Sequence, residues 1–255
     1  MDPVPRPNRR IRLVARGGTY TGGGVMKLAL ITYNTHHLKT EQVALGLAAL
    51  GQVDISFFAL PFKLRPARAA QFAHRPDMAD GAHPAAVAAA LEAPFTAVSG
   101  PQALPIAGFD YYIITGAGLL PAEFVDATAG KVVNSHAGII PLVRGLDAFK
   151  WAIIDQMPIG NTLHFIDAEA DAGKVFAQAL TPVFETDTLS SFARRHYESE
   201  IDMMIGFNQY LTRPSPATDM TKARPARKRM PKDVESGLAR AFDAYKTRYA
   251  ILPRQ

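Results

Sequence analysis

Phe109-Asp110-Tyr111-Tyr112-Ile113-Ile114-Thr115 leads through Gly116 and Pro121 to a second run, Lys131-Val132-Val133-Asn134-Ser135-His136. Both runs are short, apolar and rich in β-branched or aromatic residues, the pattern of strands buried on both faces. Between them Pro121 opens a short helical stretch that reaches Asp126. Strand, helix and strand in such close order form a crossover unit, so the two strands lie parallel in one sheet.

The same alternation extends in both directions. Upstream, Lys27 to Thr32 reads as a strand and Thr40 to Leu50 as a helix that Gly51 closes. Val53 to Leu60 is a further strand, and a helix lies near Pro84 to Leu91 in the Ala- and Pro-rich stretch 61–108. Downstream, Leu146 to Gln156 reads as a helix, and Asn161 to Asp167 and Val175 to Thr181 as strands. Thr188 to Leu211 is a long helix with Leu189, Ala193, Tyr197, Ile201 and Met204 at helical spacing. A last amphipathic helix spans about Pro231 to Tyr249. The fold class is therefore α/β, a doubly wound and mostly parallel sheet with a C-terminal helical tail. Such sheets take ligands beyond the carboxyl ends of their strands.

Three segments are expected. Residues 1–25, rich in Arg, Pro and Gly, form a basic leader, and Met26 is a candidate start of translation. Residues 26–211 form the catalytic body, and 212–255 a linker and helix. That helix carries Val234, Leu238, Phe242 and Tyr245 on one face, which needs cover from the body or from a second subunit in a homodimer.

Of the 255 residues, 48% are hydrophobic and 20% charged, enough for a sizeable core. There is no cysteine, which excludes disulfides and thiolate metal sites and suits a cytoplasmic location. No apolar run is long enough to span a membrane. The net charge of +5 comes from the two ends, and the body between them is acidic. Basic ends can contact nucleic acid, an anionic small molecule or only water; the acidic body weighs against a nucleic-acid partner.

Asn134 and His136 stand two apart at a strand end and so share a face. A carboxamide there can donate to a developing oxyanion, and an imidazole can move a proton, a combination suited to acyl transfer. Past the next strand, Asp167, Glu169 and Asp171 crowd a loop that Gly173 closes. A carboxylate from it could orient His136. His136, His164 and Asp171 could instead hold zinc, but their spacing forms no compact metal motif, so no metal is expected.

These residues resemble the folate-dependent formyltransferase family, whose members act on glycinamide ribonucleotide, methionyl-tRNA or sugars. The resemblance rests on Asn134-Ser135-His136, Ile139-Ile140-Pro141, Arg144-Gly145, Trp151-Ala152-Ile153, Gly160-Asn161-Thr162-Leu163-His164, Asp171-Ala172-Gly173 and Gln178. It implies a Rossmann-like core, a catalytic set of Asn134, His136 and Asp171, and 10-formyltetrahydrofolate as co-substrate. It also implies a pterin site built from Gly118, Leu119, Leu120, Pro121, His164, Asp167, Ala168 and Glu169. Ala137-Gly138 stands where the family often has Pro-Ser.

The acceptor side of the resemblance points to Asn34, His36, Lys39, Arg144, Lys228 and Arg229. Glycinamide ribonucleotide enzymes open with a Gly-rich phosphate loop, whereas here the loop after the first strand is Tyr33-Asn34-Thr35-His36-His37-Leu38-Lys39. The tRNA enzymes carry a C-terminal barrel, and the tail here reads as helical. The chain is thus similar to sugar N-formyltransferases acting on a nucleotide-linked amino sugar, GDP-perosamine being the specific expectation, for surface polysaccharide such as lipopolysaccharide O-antigen. On that reading the tail brings Lys228 and Arg229 to the acceptor's diphosphate. A hydrolase releasing formate from the same donor is the neighbouring alternative.

Overall fold

The computed structural model describes residues 24–62, 70–128, 130–167 and 173–251. The predicted leader therefore lies almost wholly outside the described residues, as do Ala168, Glu169 and Asp171. The expected elements are present as β1 (Met26–Tyr33), α1 (Leu38–Ala48), β2 (Val53–Leu60) and α2 (Pro84–Ala90). A three-residue strand absent from the sequence reading, β3 (Phe95–Ala97), follows. Then come β4 (Tyr111–Ile114), α3 (Ala122–Ala127), β5 (Val132–His136), α4 (Ala148–Ile154), β6 (Gly160–Phe165) and β7 (Val175–Leu180).

The sheet order is β3-β2-β1-β4-β5-β6-β7. β1 to β5 pair in parallel, while β6 runs antiparallel to β5 and β7 antiparallel to β6. β1 is buried on both sides because its residues alternate between two cores. Met26, Leu28 and Leu30 join the core beneath α1, whereas Ala29 and Ile31 join the one beneath α3.

The long helix predicted over 188–211 is interrupted. Thr188 caps α5 (Leu189–Ile205) through a reciprocal pair with Ser191, and Gly206 separates it from α6 (Phe207–Leu211). The last helix is likewise split by Gly237 into α7 (Lys232–Glu235) and α8 (Leu238–Tyr249). In both places glycine lacks the propensity to carry the helix through.

The predicted apolar face of the tail is covered by the body. Leu238, Phe242 and Tyr245 are buried with Phe149, Ala152, Ile153 and Phe192, and each such burial stabilises by about 1.5–3 kcal/mol. The buried Lys150–Glu235 ion pair ties α7 to α4. No helix among the described residues is long and apolar enough to cross a membrane.

Candidate functional site

β5 ends where the sheet changes from parallel to antiparallel pairing. Across the β5–β6 ladder, Asn134 faces His164 and His136 faces Thr162, so these four residues line one face of the sheet. Asn134 Nδ2 lies 3.2 Å from His164 Nε2, and His164 Nδ1 lies 3.2 Å from the Phe165 carbonyl. The two contacts fit one neutral tautomer: Nδ1–H donates to the carbonyl and Nε2 accepts from the carboxamide. His164 thereby fixes the Asn134 amide, whose second N–H has no partner among the described residues.

His136 is buried, and its Nε2 lies 2.9 Å from the Val143 carbonyl. A carbonyl only accepts, so Nε2 carries a proton and donates it there. The loop supplying that carbonyl turns tightly after β5. Thr162, with no exposed surface, donates to the Gly138 carbonyl at 2.7 Å and accepts from Ile140 N at 3.2 Å. Gln178 on β7 donates to the Ile140 carbonyl at 2.6 Å. The Thr and Gln of the sequence pattern thus hold the backbone turn beside His136.

Gly118, Leu119, Leu120 and Pro121 lead from β4 into α3, and Leu119 is 90% exposed. None of the four lines the apolar cleft of about 250 Å³ formed by Val125, Asp126, Gly130, Phe165, Ile166, Asp167 and Lys174, which lies toward the start of β5, where Phe165 pairs with Val133 and Ile166 N donates to the Val132 carbonyl. Asp167 is brought to the cleft. His164 is buried one position before its Phe165 wall and holds Asn134 instead of lining it. Asp171, Ala168 and Glu169 lie outside the described residues.

The acceptor-side candidates are dispersed. Lys39 is only 6% exposed, and its Nζ lies 2.7 Å from Glu200 Oε1, while Arg75 binds Oε2 at 2.7 Å. Its charge is committed inside the protein, which is not where a phosphate-binding cation belongs. Burial alone would raise the Glu200 carboxyl, but Arg75 and Lys39 outweigh it and bring it to about 2. Nothing in the sequence near Arg75 signalled this partner.

Asn34 and His36 are exposed, and His36 donates through Nδ1 to the Gly81 carbonyl at 2.8 Å. Neighbouring His37 caps α1 by accepting from Thr40 N, and its own N–H donates to the Ala82 carbonyl. Burial, with help from Lys39 and Arg75, lowers the His37 ring to about 4. Gly81 lies so close to this helix start that a Cβ there would come within 2.3 Å of Leu38 N. The N-terminus of α1 is therefore closed by the protein's own chain, so its amides are not open to an anion. Arg144 is half-buried in the loop after β5. Lys228 and Arg229 are exposed, and the Lys228 carbonyl accepts from Trp151 Nε1 at 2.8 Å. Among the described residues no group of three His, Asp or Glu side chains could hold a metal ion.

Residues 102–207 match the family described as formyl transferase. Over that stretch the chain is similar to formyl transferase domains. The phosphoribosylglycinamide formyltransferase of Haemophilus influenzae is 32% identical over 83 residues, which is 32% of this chain and 39% of that protein. The chain thus spans well under two thirds of the length of the curated relatives it matches. Among solved structures, a 4-N formyltransferase from Francisella tularensis aligns with a TM-score of 0.55 at 16% identity, covering 85% of this chain and 88% of that one. A phosphoribosylglycinamide formyltransferase from Anaplasma phagocytophilum aligns with a TM-score of 0.53 at 22% identity, covering 73% and 85%. At these identities the two likenesses establish a shared fold. The domain match covers every described residue of the predicted catalytic set, Asn134 and His136.

Proposed function

We propose that the chain transfers a formyl group from 10-formyltetrahydrofolate to the amine of a nucleotide-linked amino sugar. The pairing of Asn134 with His164, beside a His136 whose Nε2 donates to the Val143 carbonyl, carries the formyl-transfer reading. The folate would bring its formyl group to this strand end, with its pterin against the backbone near Leu119-Leu120 and Asp167. The unprotonated amine attacks the formyl carbon. The uncommitted N–H of Asn134 donates to the oxyanion that develops. His136 relays the amine proton or stabilises the charge as imidazolium, and the resemblance gives Asp171 the task of holding the ring and a water. One C–N bond forms to the acceptor, the bond to the folate N10 breaks, and the amine proton ends on N10.

The closed N-terminus of α1 favours the sugar over glycinamide ribonucleotide, because a phosphate cradle needs open backbone amides. GDP-perosamine is the specific acceptor proposed, with a cytoplasmic role in making lipopolysaccharide O-antigen sugars. Glycinamide ribonucleotide is the second reading, favoured by the Haemophilus relative. The test is release of tetrahydrofolate by the full chain when GDP-, UDP- and dTDP-linked amino sugars and glycinamide ribonucleotide are each supplied. Turnover with a GDP amino sugar is expected. Preference for glycinamide ribonucleotide would establish the second reading, and formate without an amine would mean hydrolysis.

A further inference from the structure

The loop that holds His136 is gripped from two sides. Thr162 and Gln178 fix its first half from within the sheet. Its second half, Pro141 to Asp147, is bonded along its length to Arg224–Met230 of the C-terminal segment. Arg224 N donates to the Pro141 carbonyl at 3.2 Å, Arg227 N to the Arg144 carbonyl at 2.9 Å, and Leu146 N to the Arg227 carbonyl at 2.8 Å. Met230 N donates to Asp147 Oδ2 at 2.9 Å, and Met230 itself is buried.

The fit is close. Gly145 has φ +88°, and a Cβ there would lie 2.3 Å from the Arg227 carbonyl oxygen. The Arg227 guanidinium sits 4.4 Å over the Trp151 ring and, with Arg224, pairs with Asp155 at the end of α4. The strap therefore spans both ends of α4 and the loop ahead of it. Val143, whose carbonyl holds His136 Nε2, lies between its Pro141 and Arg144 attachments.

We propose that the strap Arg224–Met230 positions His136, and that Asp147 is the positioning residue that locks it. The functional half of this proposal rests on the reading of His136 as catalytic. The sequence pointed to the side chains of Lys228 and Arg229 as diphosphate ligands, whereas the strap contacts the loop chiefly through its backbone. Asp147 also has φ +53°, a conformation open to Gly and Asn at little cost. Asp147→Gly keeps that backbone and deletes the lock. Asp147→Asn retains an oxygen that can accept from Met230 N.

The experiment compares the two variants in the full chain by kcat, KM for both substrates, and ¹⁵N NMR of the His136 ring in the free protein. In Asp147→Gly the Nε2–H signal should shift or broaden, and kcat should fall at least about tenfold, since small misplacement of a reacting group costs rate. KM for the folate should change less than about twofold, and Asp147→Asn should restore both readouts. Trp151→Phe, which deletes the indole bond to the Lys228 carbonyl and weakens the Arg227 stack, is the second probe should Asp147→Gly fail to fold, and it should move the same signal. A folded Asp147→Gly protein with wild-type kcat and an unmoved ring signal would overturn the proposal. A moved signal with unchanged kcat would keep the clamp and remove His136 from the reaction.

Discussion

Replacing Lys39 with Met separates an internal ion pair from a substrate ligand. Lys39 and Glu200 are 2.7 Å apart and both are buried. Met fills nearly the same volume without charge. Glu200 then keeps Arg75 on Oε2 but loses the donor to Oε1. Breaking a buried pair from one side costs about 3–5 kcal/mol, and the surviving Arg75 contact places this case near the lower end. At roughly 2–4 °C per kcal/mol for a chain of this size, Tm should fall by about 6–12 °C.

The pH dependence has a defined sign. Glu200 is held at about 2, below its usual carboxylate value of 4.5, so its stabilisation is present above pH 4.5 and disappears as pH falls toward 2. Without Lys39 that carboxyl rises, and the gap between wild type and variant should narrow across the same window. Replacing Glu200 by Met as well should recover part of the loss, because Arg75 reaches solvent. Urea unfolding of the single and double variants between pH 3 and 7 measures this. A Lys39→Met protein as stable as wild type, with only a raised acceptor KM, would show that the ion pair does not hold the fold and return Lys39 to the substrate.

Thr162→Val should cost about 2–3 kcal/mol, since Gly138 O and Ile140 N lose a buried partner; Thr162→Ser should retain most of it. Equal stability of the Val variant, by the same unfolding assay, would show that the hydroxyl does not hold the turn. His196 is buried against Phe149, and desolvation lowers its ring to about 3 despite nearby Glu200. The unfolded ring titrates near 6.5, so below that pH protons favour the unfolded chain, and stability falls by up to about 1.4 kcal/mol per pH unit until pH 3. His196→Gln should flatten this slope between pH 6 and 5, and an unchanged slope would assign the acid sensitivity to other groups.

The strands of the central body were legible because each is a short apolar run, and Val53–Leu60 was read to the residue. Phe95–Ala97 was not, being one half-buried and two exposed residues at the sheet edge without a periodic pattern. Gly206 and Gly237 break helices whose apolar spacing continues across them, so periodicity alone carries the helix too far. That Asn134 and His136 share one face at the end of β5 was legible because alternate residues of a strand point the same way. Lys39 was misleading: a cation after the first strand resembles a phosphate ligand, and its partner Glu200 is remote in sequence. The contribution of Arg224–Met230 is largely backbone hydrogen bonding, to which side-chain identity gives little clue.

The proposed formyl transfer depends on His136 at the end of β5. The direct measurement is the rate of tetrahydrofolate release by His136→Asn against wild type, with saturating 10-formyltetrahydrofolate and a nucleotide-linked amino sugar. The variant is expected to fold and to turn over at least about a hundredfold more slowly, the scale of a lost proton-transfer group. Turnover within a few-fold of wild type would contradict that dependence.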